Sequence, residues 1–278
     1  MSMKVALHSK ALLGESPIWC ERDQALYWVD IRGREIRRFD PATGEDRAWK
    51  MPEDIGSIGF RQNGGFVAAL RSGFAFFDPK TGALECLHNP IAGRRDLRFN
   101  DGRCDRAGRF WAGTVQEKRV AGLAALYRFD PDRRCTLMAD GITVANGTAW
   151  SPDDRTMYFA DSWTREIYAY DFDLRAGTIA NRRVFARFGD DEGIPDGATV
   201  DVDGNLWIAH FDGWRVTRFA PDGRVDRVVE MPVPRPTSCA FGGRDLNVLY
   251  VTSASFSLTE EMLARAPLSG AIFALDVR

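Results

Sequence analysis

A six-bladed β-propeller with four-stranded blades is the all-β architecture expected of this 278-residue chain. Three features carry that expectation. An aromatic-containing apolar segment recurs six times, at 26–30 (LYWVD), 65–69 (GFVAA), 109–113 (RFWAG), 157–161 (MYFAD), 206–210 (LWIAH) and 249–253 (LYVTS). With Tyr27, Phe66, Phe110, Tyr158, Trp207 and Tyr250 as phase markers, the spacings are 39, 44, 48, 49 and 43 residues, the length of one blade. Between the markers lie short β-rich runs broken by D-G, P-D-G and T-G turns. No 3.6-residue periodicity is sustained, which excludes an α/β fold.

The units follow in order. Each of the first five markers leads into a further strand ending near an F-D-P-like turn, at 39–41 (FDP), 77–79 (FDP), 129–131 (FDP), 170–171 (YD) and 219–221 (FAP). The sixth unit ends with 272–276 (IFALD), and 4–8 (KVALH) is expected to supply its outer strand and close the ring. Linkers and low-complexity segments are absent, so 1–278 reads as one domain.

Composition agrees with a soluble globule. The chain is 45% hydrophobic and 27% charged, and its net charge of −2 is spread in mixed sign. Nucleic acid and anionic membrane both favour clustered basic charge, so neither is expected as a partner. No apolar run approaches the roughly 18 residues of a membrane span, and the start MSMKVALH lacks the apolar core of a signal peptide. Five cysteines, none in C-x-x-C, read as reduced packing residues of a cytoplasmic protein. A monomer or weak homo-oligomer is expected.

In a propeller the innermost strands line the axis, so residues at one phase of different blades converge. Some ten to thirteen residues before the markers stand Glu15, Gly56, Asn100, Asn146, Asp196 and Thr237. Two carboxylates and two carboxamides thus meet from four blades, which is the hard-oxygen donor set of a divalent cation. The alternative is that Asn, Asp and Gly here simply form turns. That alternative gives no reason for Glu15.

Seven phrases, in order along the chain, carry a family resemblance: 13–19 (LGESPIW), 27–30 (YWVD), 98–102 (RFNDG), 105–114 (DRAGRFWAGT), 146–153 (NGTAWSPD), 195–197 (PDG) and 236–243 (PTSCAFGG). Together they resemble the gluconolactonase, regucalcin (senescence marker protein) and luciferin-regenerating enzyme family over essentially the whole chain. The resemblance implies a central metal site with Glu15, Asn146 and Asp196 as ligands, and Arg98 and Asn100 facing substrate. The implied reaction is hydrolysis of an aldonolactone of the glucono-, xylono- or arabinono- type. A cation so held would polarise the ester carbonyl, and Asp196 would double as general base. The metal is expected to be Ca²⁺ or Zn²⁺, with Mg²⁺ or Mn²⁺ as further options. For Arg98 the bland alternative is a surface salt bridge.

The second strand of each blade should return to the metal face, ending at Asp30, Gly113, Asp161, His210 and Ser253. Asp161 and His210 are candidates to border the pocket, against a structural role for each; Asp30 has the same structural alternative. The segment 115–124 interrupts blade 3 on that face as a candidate lid, with Glu117 and Lys118 as substrate contacts or, equally, a solvated loop. The acidic run 189–193 (GDDEG) lacks EF-hand spacing and reads as a solvated turn. Neither H-E-x-x-H, G-x-S-x-G nor a phosphate-cradling G-x-x-x-x-G-K-[ST] occurs. Two alternatives to a lactonase remain at this level: a hydrolase of organophosphates or other esters, and a non-catalytic calcium-binding or partner-binding propeller.

Overall fold

A blade whose faces are both covered by neighbouring blades needs apolar residues on both sides of its middle strands. That is why the recurring segments are continuous apolar runs rather than alternating ones. The computed structural model describes residues 2–277 and arranges them as six four-stranded antiparallel sheets around one axis. Met1 and Arg278, the ends of the expected 1–278 span, lie outside the described residues.

Blade 1 runs from the axis outward through Gly14–Cys20, Ala25–Asp30, Glu35–Phe39 and Asp46–Lys50. Blades 2 to 5 repeat this meander from inner strands Ile55–Phe60, Leu97–Cys104, Ala145–Trp150 and Ile194–Val200. Blade 6 has Pro236–Gly242, Val248–Ser253 and Ile272–Asp276, and its outer strand is Met3–Leu7 from the other end of the chain. There Met3 lies opposite Leu275 and Lys4 opposite Ala274. The ring is therefore closed by the segment expected, beginning one residue earlier.

Burial follows the seams between blades. Among the described residues, six apolar clusters fill the six seams. Tyr27 and Ile36 meet Ile58 and Phe66 between blades 1 and 2, and Phe74 meets Phe99 and Phe110 between blades 2 and 3. Trp111 packs against Trp150 and Phe159, Tyr158 against Ile208, Trp207 against Leu249, and Trp28 against Tyr250 to complete the circle. Outermost strands such as Leu84–His88 and Val225–Glu230 are mostly exposed.

Two details depart from expectation. Cys86 lies on an outermost strand and is exposed, so it is not a packing residue; Cys20 and Cys239 are buried, and all five thiols are unpaired. A short helix, Glu260–Arg265, fills the connection inside blade 6, with the Thr259 side chain accepting from the Met262 amide and Glu260 and Glu261 in its first turn. No described helix is long and apolar enough to cross a membrane.

Candidate active site at the propeller axis

Every innermost strand carries a β-bulge at the marked phase. The register shifts fall at Glu15/Ile18, Ile55/Ser57, Phe99/Gly102, Asn146/Ala149, Pro195/Ala198 and Pro236/Ser238. A bulge bends the strand and re-aims a side chain out of the ladder. The E-S, N-D-G, N-G and D-G phrases are thus bulge sequences, with Ser16 and Gly147 at φ 48 and 63. In blade 2 the position is Gly56, where an added Cβ would lie 2.5 Å from the Asn100 carbonyl oxygen.

These bulges bring Glu15, Asn100, Asn146 and Asp196 to one cavity of about 290 Å³, shared with Arg98 and Glu117. Its volume is at the lower end for small-molecule sites and suits a ligand the size of a sugar. Leu13, Val144, Ile194 and Phe211 supply apolar wall. Lys118 is not on the wall; the next residue, Arg119, is.

The polar groups form one chain. Arg98 is buried, not a surface salt bridge, and its Nη1 donates to the Asn100 Oδ1 at 2.8 Å and to the Phe99 carbonyl. Asn100 Nδ2 donates to Asn146 Oδ1 at 2.8 Å and to the Ala145 carbonyl. Asn146 Nδ2 in turn donates to Ser162 Oγ at 2.8 Å. Both amide hydrogens of Asn100 are committed to the protein, so it orients Arg98 and Asn146 more than it can serve a ligand. Arg98 lines the cavity, and its Nε is buried without a hydrogen-bond partner.

Glu15 and Asp196 are both buried, and both line the cavity. Burial and then the neighbouring charge of Asp101 push the Glu15 carboxyl up to about 8, and burial followed by the charges of Glu15 and Asp101 pushes Asp196 well above the ordinary range. Two such groups, with the Asn146 carboxamide on the same cavity, fit a divalent cation, whose charge offsets their repulsion. Among the described residues no three or more His, Cys, Asp or Glu side chains gather as a metal cluster. Asp101, one residue past Asn100, is also buried and accepts from the Thr148 amide at 2.9 Å.

Asp30, Asp161 and His210 stand behind the wall, not on it. Asp30 accepts from the Leu12, Leu13 and Gly33 amides at 2.9, 3.0 and 2.8 Å. Asp161 repeats the clamp on Thr143 and Val144 at 2.9 and 3.0 Å. Each clamp fixes the segment that ends, two residues later, in Glu15 or Asn146. In blade 5 the corresponding residue is His210, whose Nδ1 lies 2.8 Å from the Glu192 carbonyl in the acidic turn ahead of Asp196.

His210 stacks on Phe188 with ring centroids 3.9 Å apart, and its Nε2 is buried without a partner. Burial lowers its pKa to about 4. Above pH about 6.5 the ring is neutral folded or unfolded; below it only the unfolded chain takes the proton. Stability should therefore fall by about 3 kcal/mol between pH 6.5 and 4, on the linkage scale of 1.36 kcal/mol per unit. Urea unfolding of the wild type and His210→Gln at neutral and acid pH checks this. An equal acid loss in both proteins would remove His210 as the cause.

Above the cavity Glu117 is held by arginines. Its Oε1 lies 2.6 Å from Arg71 Nη2, 3.3 Å from Arg32 Nη2 and 3.9 Å from Arg98 Nε. The segment is anchored below by Gln116, whose Oε1 accepts from the Val120 amide at 2.8 Å. Arg32 and Arg119 reach the cavity from turns outside the repeat phase, so no pattern in the chain singled them out. A wider groove of about 1150 Å³ lies at the far ends of blades 1 and 2, but none of the phase-equivalent residues reaches it.

Comparison with known proteins agrees with this architecture. The chain is 42% identical to 6-deoxy-6-sulfogluconolactonase of Pseudomonas putida over 99% of its own length and 95% of that protein. It is 39% identical to regucalcin of Gallus gallus, covering 94% of this chain and 89% of the relative. Among solved structures, a calcium-binding protein, regucalcin, from Agrobacterium tumefaciens superposes with a TM-score of 0.94 at 27% identity, covering 99% and 93% of the two chains. The profile of the SMP-30/gluconolactonase/LRE-like region matches residues 13–255. A ring of six blades, a carboxylate pair at its axis and a profile match over most of the sequence lead to one conclusion: the chain belongs to the SMP-30/gluconolactonase/LRE-like family.

Proposed function

We propose that this protein is a metal-dependent sugar lactonase, opening an aldonolactone to its sugar acid at the axial cavity. The observation that carries the reading is the burial of Glu15, Asn146 and Asp196 together on one cavity. Two lactonase-type and regucalcin relatives at 42% and 39% identity support the same reading.

Glu15, Asn146 and Asp196 would hold one divalent cation. When bound, it supplies Lewis-acid polarisation of the ester carbonyl and an electrostatic partner for the developing oxyanion. Asp196 would take a proton from the attacking water. Arg98 and Ser162 line the cavity and would offer N–H and O–H donors to the oxygens of the sugar, with Asn100 fixing the Arg98 plane. Glu117 lines the same cavity and would accept from sugar hydroxyls. The apolar wall packs the carbon face of the ring. Water adds across the acyl C–O bond, the ring oxygen leaves as a hydroxyl, and the new carboxylic acid ionises.

Oxygen-only donors suit calcium, and zinc, magnesium and manganese accept the same set. Proton release in weak buffer, with a panel of aldonolactones, tests the reading after chelation and after each metal is restored. Activity abolished by chelation and recovered with one metal is the expected result. Hydrolysis indifferent to chelation would overturn the metal role, and no hydrolysis with any metal would overturn the lactonase reading.

A further inference from the structure

Each innermost strand has a hydrogen-bonded neighbour on one side only, so its other edge turns its backbone groups to the axis. One side chain crosses that axis. Arg103, on the inner strand of blade 3, donates through Nη2 to the Ala198 carbonyl of blade 5 at 3.0 Å and to the Cys239 carbonyl of blade 6 at 3.2 Å. Blades 3 and 6 stand opposite each other in a ring of six. The Arg103 side chain is mostly buried and pairs with no carboxylate among the described residues. Burial pushes its pKa below the usual arginine range, and the charge of Asp101 opposes that. Desolvating a cation against neutral carbonyls is costly.

The points that Arg103 joins are equivalent. In blade 3 the ladder breaks after Phe99 and resumes at Gly102 and Arg103; in blade 5 it resumes at Ala198, and in blade 6 at Ser238 and Cys239. Each contact thus falls on the first or second paired residue beyond a bulge. Asn100 and Asp196 lie inside those gaps, without the ladder pairing that fixes an ordinary strand. A link just past each bulge sets the spacing of the bulges across the axis. Blade 1 is tied in as well, because Thr237 Oγ1 of blade 6 donates to the Gly14 carbonyl, next to Glu15.

We infer that Arg103 is a positioning residue of the axial cation site: it braces blades 3, 5 and 6 across the channel and so holds Asp196 at the spacing from Glu15 and Asn146 that one divalent cation requires. The inference rests on the cation site of the lactonase reading, and Arg103 itself does not line the cavity.

Charge and bracing predict opposite signs for its removal. A positive charge near a cation site weakens binding, so electrostatics alone would make the site tighter without Arg103. Loss of the brace makes it weaker. The test is calorimetric titration of the metal-stripped full chain with Ca²⁺, Zn²⁺, Mg²⁺ and Mn²⁺ in turn, followed with the cation that the wild type binds most tightly. Arg103→Met should weaken that affinity by about tenfold or more, the scale for lost support of a metal ligand. Arg103→Lys, which restores the charge and an N–H donor on a shorter arm, should recover part of the loss. Arg128→Met is the control, because Arg128 is also buried and donates to the Ala176 and Gly177 carbonyls of blade 4 without bordering the cavity. It should lower Tm and leave the affinity unchanged. Melts with and without the cation read the same difference, since the metal-induced rise in Tm should shrink in Arg103→Met and persist in Arg128→Met. Should Arg103→Met fail to fold, Arg103→Gln carries the same expected sign. Unchanged or tighter binding without Arg103, or an equal loss in Arg128→Met, would overturn the brace and leave the cation reading standing. Failure of the wild type to bind any of the four cations would overturn both.

Discussion

Replacing Asp196 by Asn is expected to lower lactone turnover by about 10³-fold or more, the combined scale of a lost general base and a lost cation ligand. The same change should make the metal-free protein more stable. In the metal-free wild type, burial first and then neighbouring carboxylate charge disfavour ionisation of both carboxyls. Asn keeps the shape and removes one charge. Each 1 kcal/mol so recovered raises Tm by about 2–4 °C in a chain of this size class. Adding the cognate cation should then raise the wild-type Tm and leave the variant unmoved. Calorimetric melts of both proteins, with and without metal, read this crossing pattern beside the kinetics. Retained activity, or an unchanged metal-induced rise in Asp196→Asn, would sink the ligand assignment.

Asp30→Asn carries the second large effect, through a residue that does not reach the cavity. Its carboxylate receives three backbone amides, at 2.9, 3.0 and 2.8 Å, and an amide side chain has one acceptor oxygen to offer them. The segment leading to Glu15 loosens, and loss of such support for a ligand typically costs about 10–100-fold in metal affinity. Stability should fall by about 1–3 kcal/mol from the unpaired buried donors. Asp105→Asn is the control. Asp105 is also buried and accepts from two backbone amides, Arg109 Nε and Trp111 Nε1, but at the far end of its blade. It should destabilise the fold without shifting metal affinity. If both variants shift metal affinity equally, Asp30 stabilises the fold and has no positioning role.

Much of the fold was legible because middle strands are buried on both faces, so Tyr27, Phe66 and their counterparts repeat as apolar runs. The convergence of Glu15, Asn100, Asn146 and Asp196 on one cavity could be read from phase alone, because equivalent positions of a ring point at its axis. The bulges were not legible: N-G and D-G also mark hairpins, and only the register on both sides separates the two. Asp30 and Asp161 repeat in phase, yet their role emerges only when the amides they receive are seen. Arg32, Arg71 and Arg119 sit in turns of different length, so no periodicity links them. The helix at Glu260–Arg265 had a readable signal in Thr259 followed by two glutamates, but at six residues it leaves no amphipathic period. Cys86 was misplaced because composition cannot tell an outermost strand from an inner one.

The closing strand has a consequence for the order of assembly. Seams between successive blades join segments close in the chain and can form as it lengthens. The last seam cannot, since Ser9 Oγ donates to the Gly270 carbonyl across 261 positions, and closing so long a span carries a large loop entropy. Glu15 belongs to the first blade and Asp196 to the fifth, with the sixth between them. A nascent chain lacking its final blade therefore has no closed ring to hold these two residues across that gap, and the pocket takes shape with the latching of the ring.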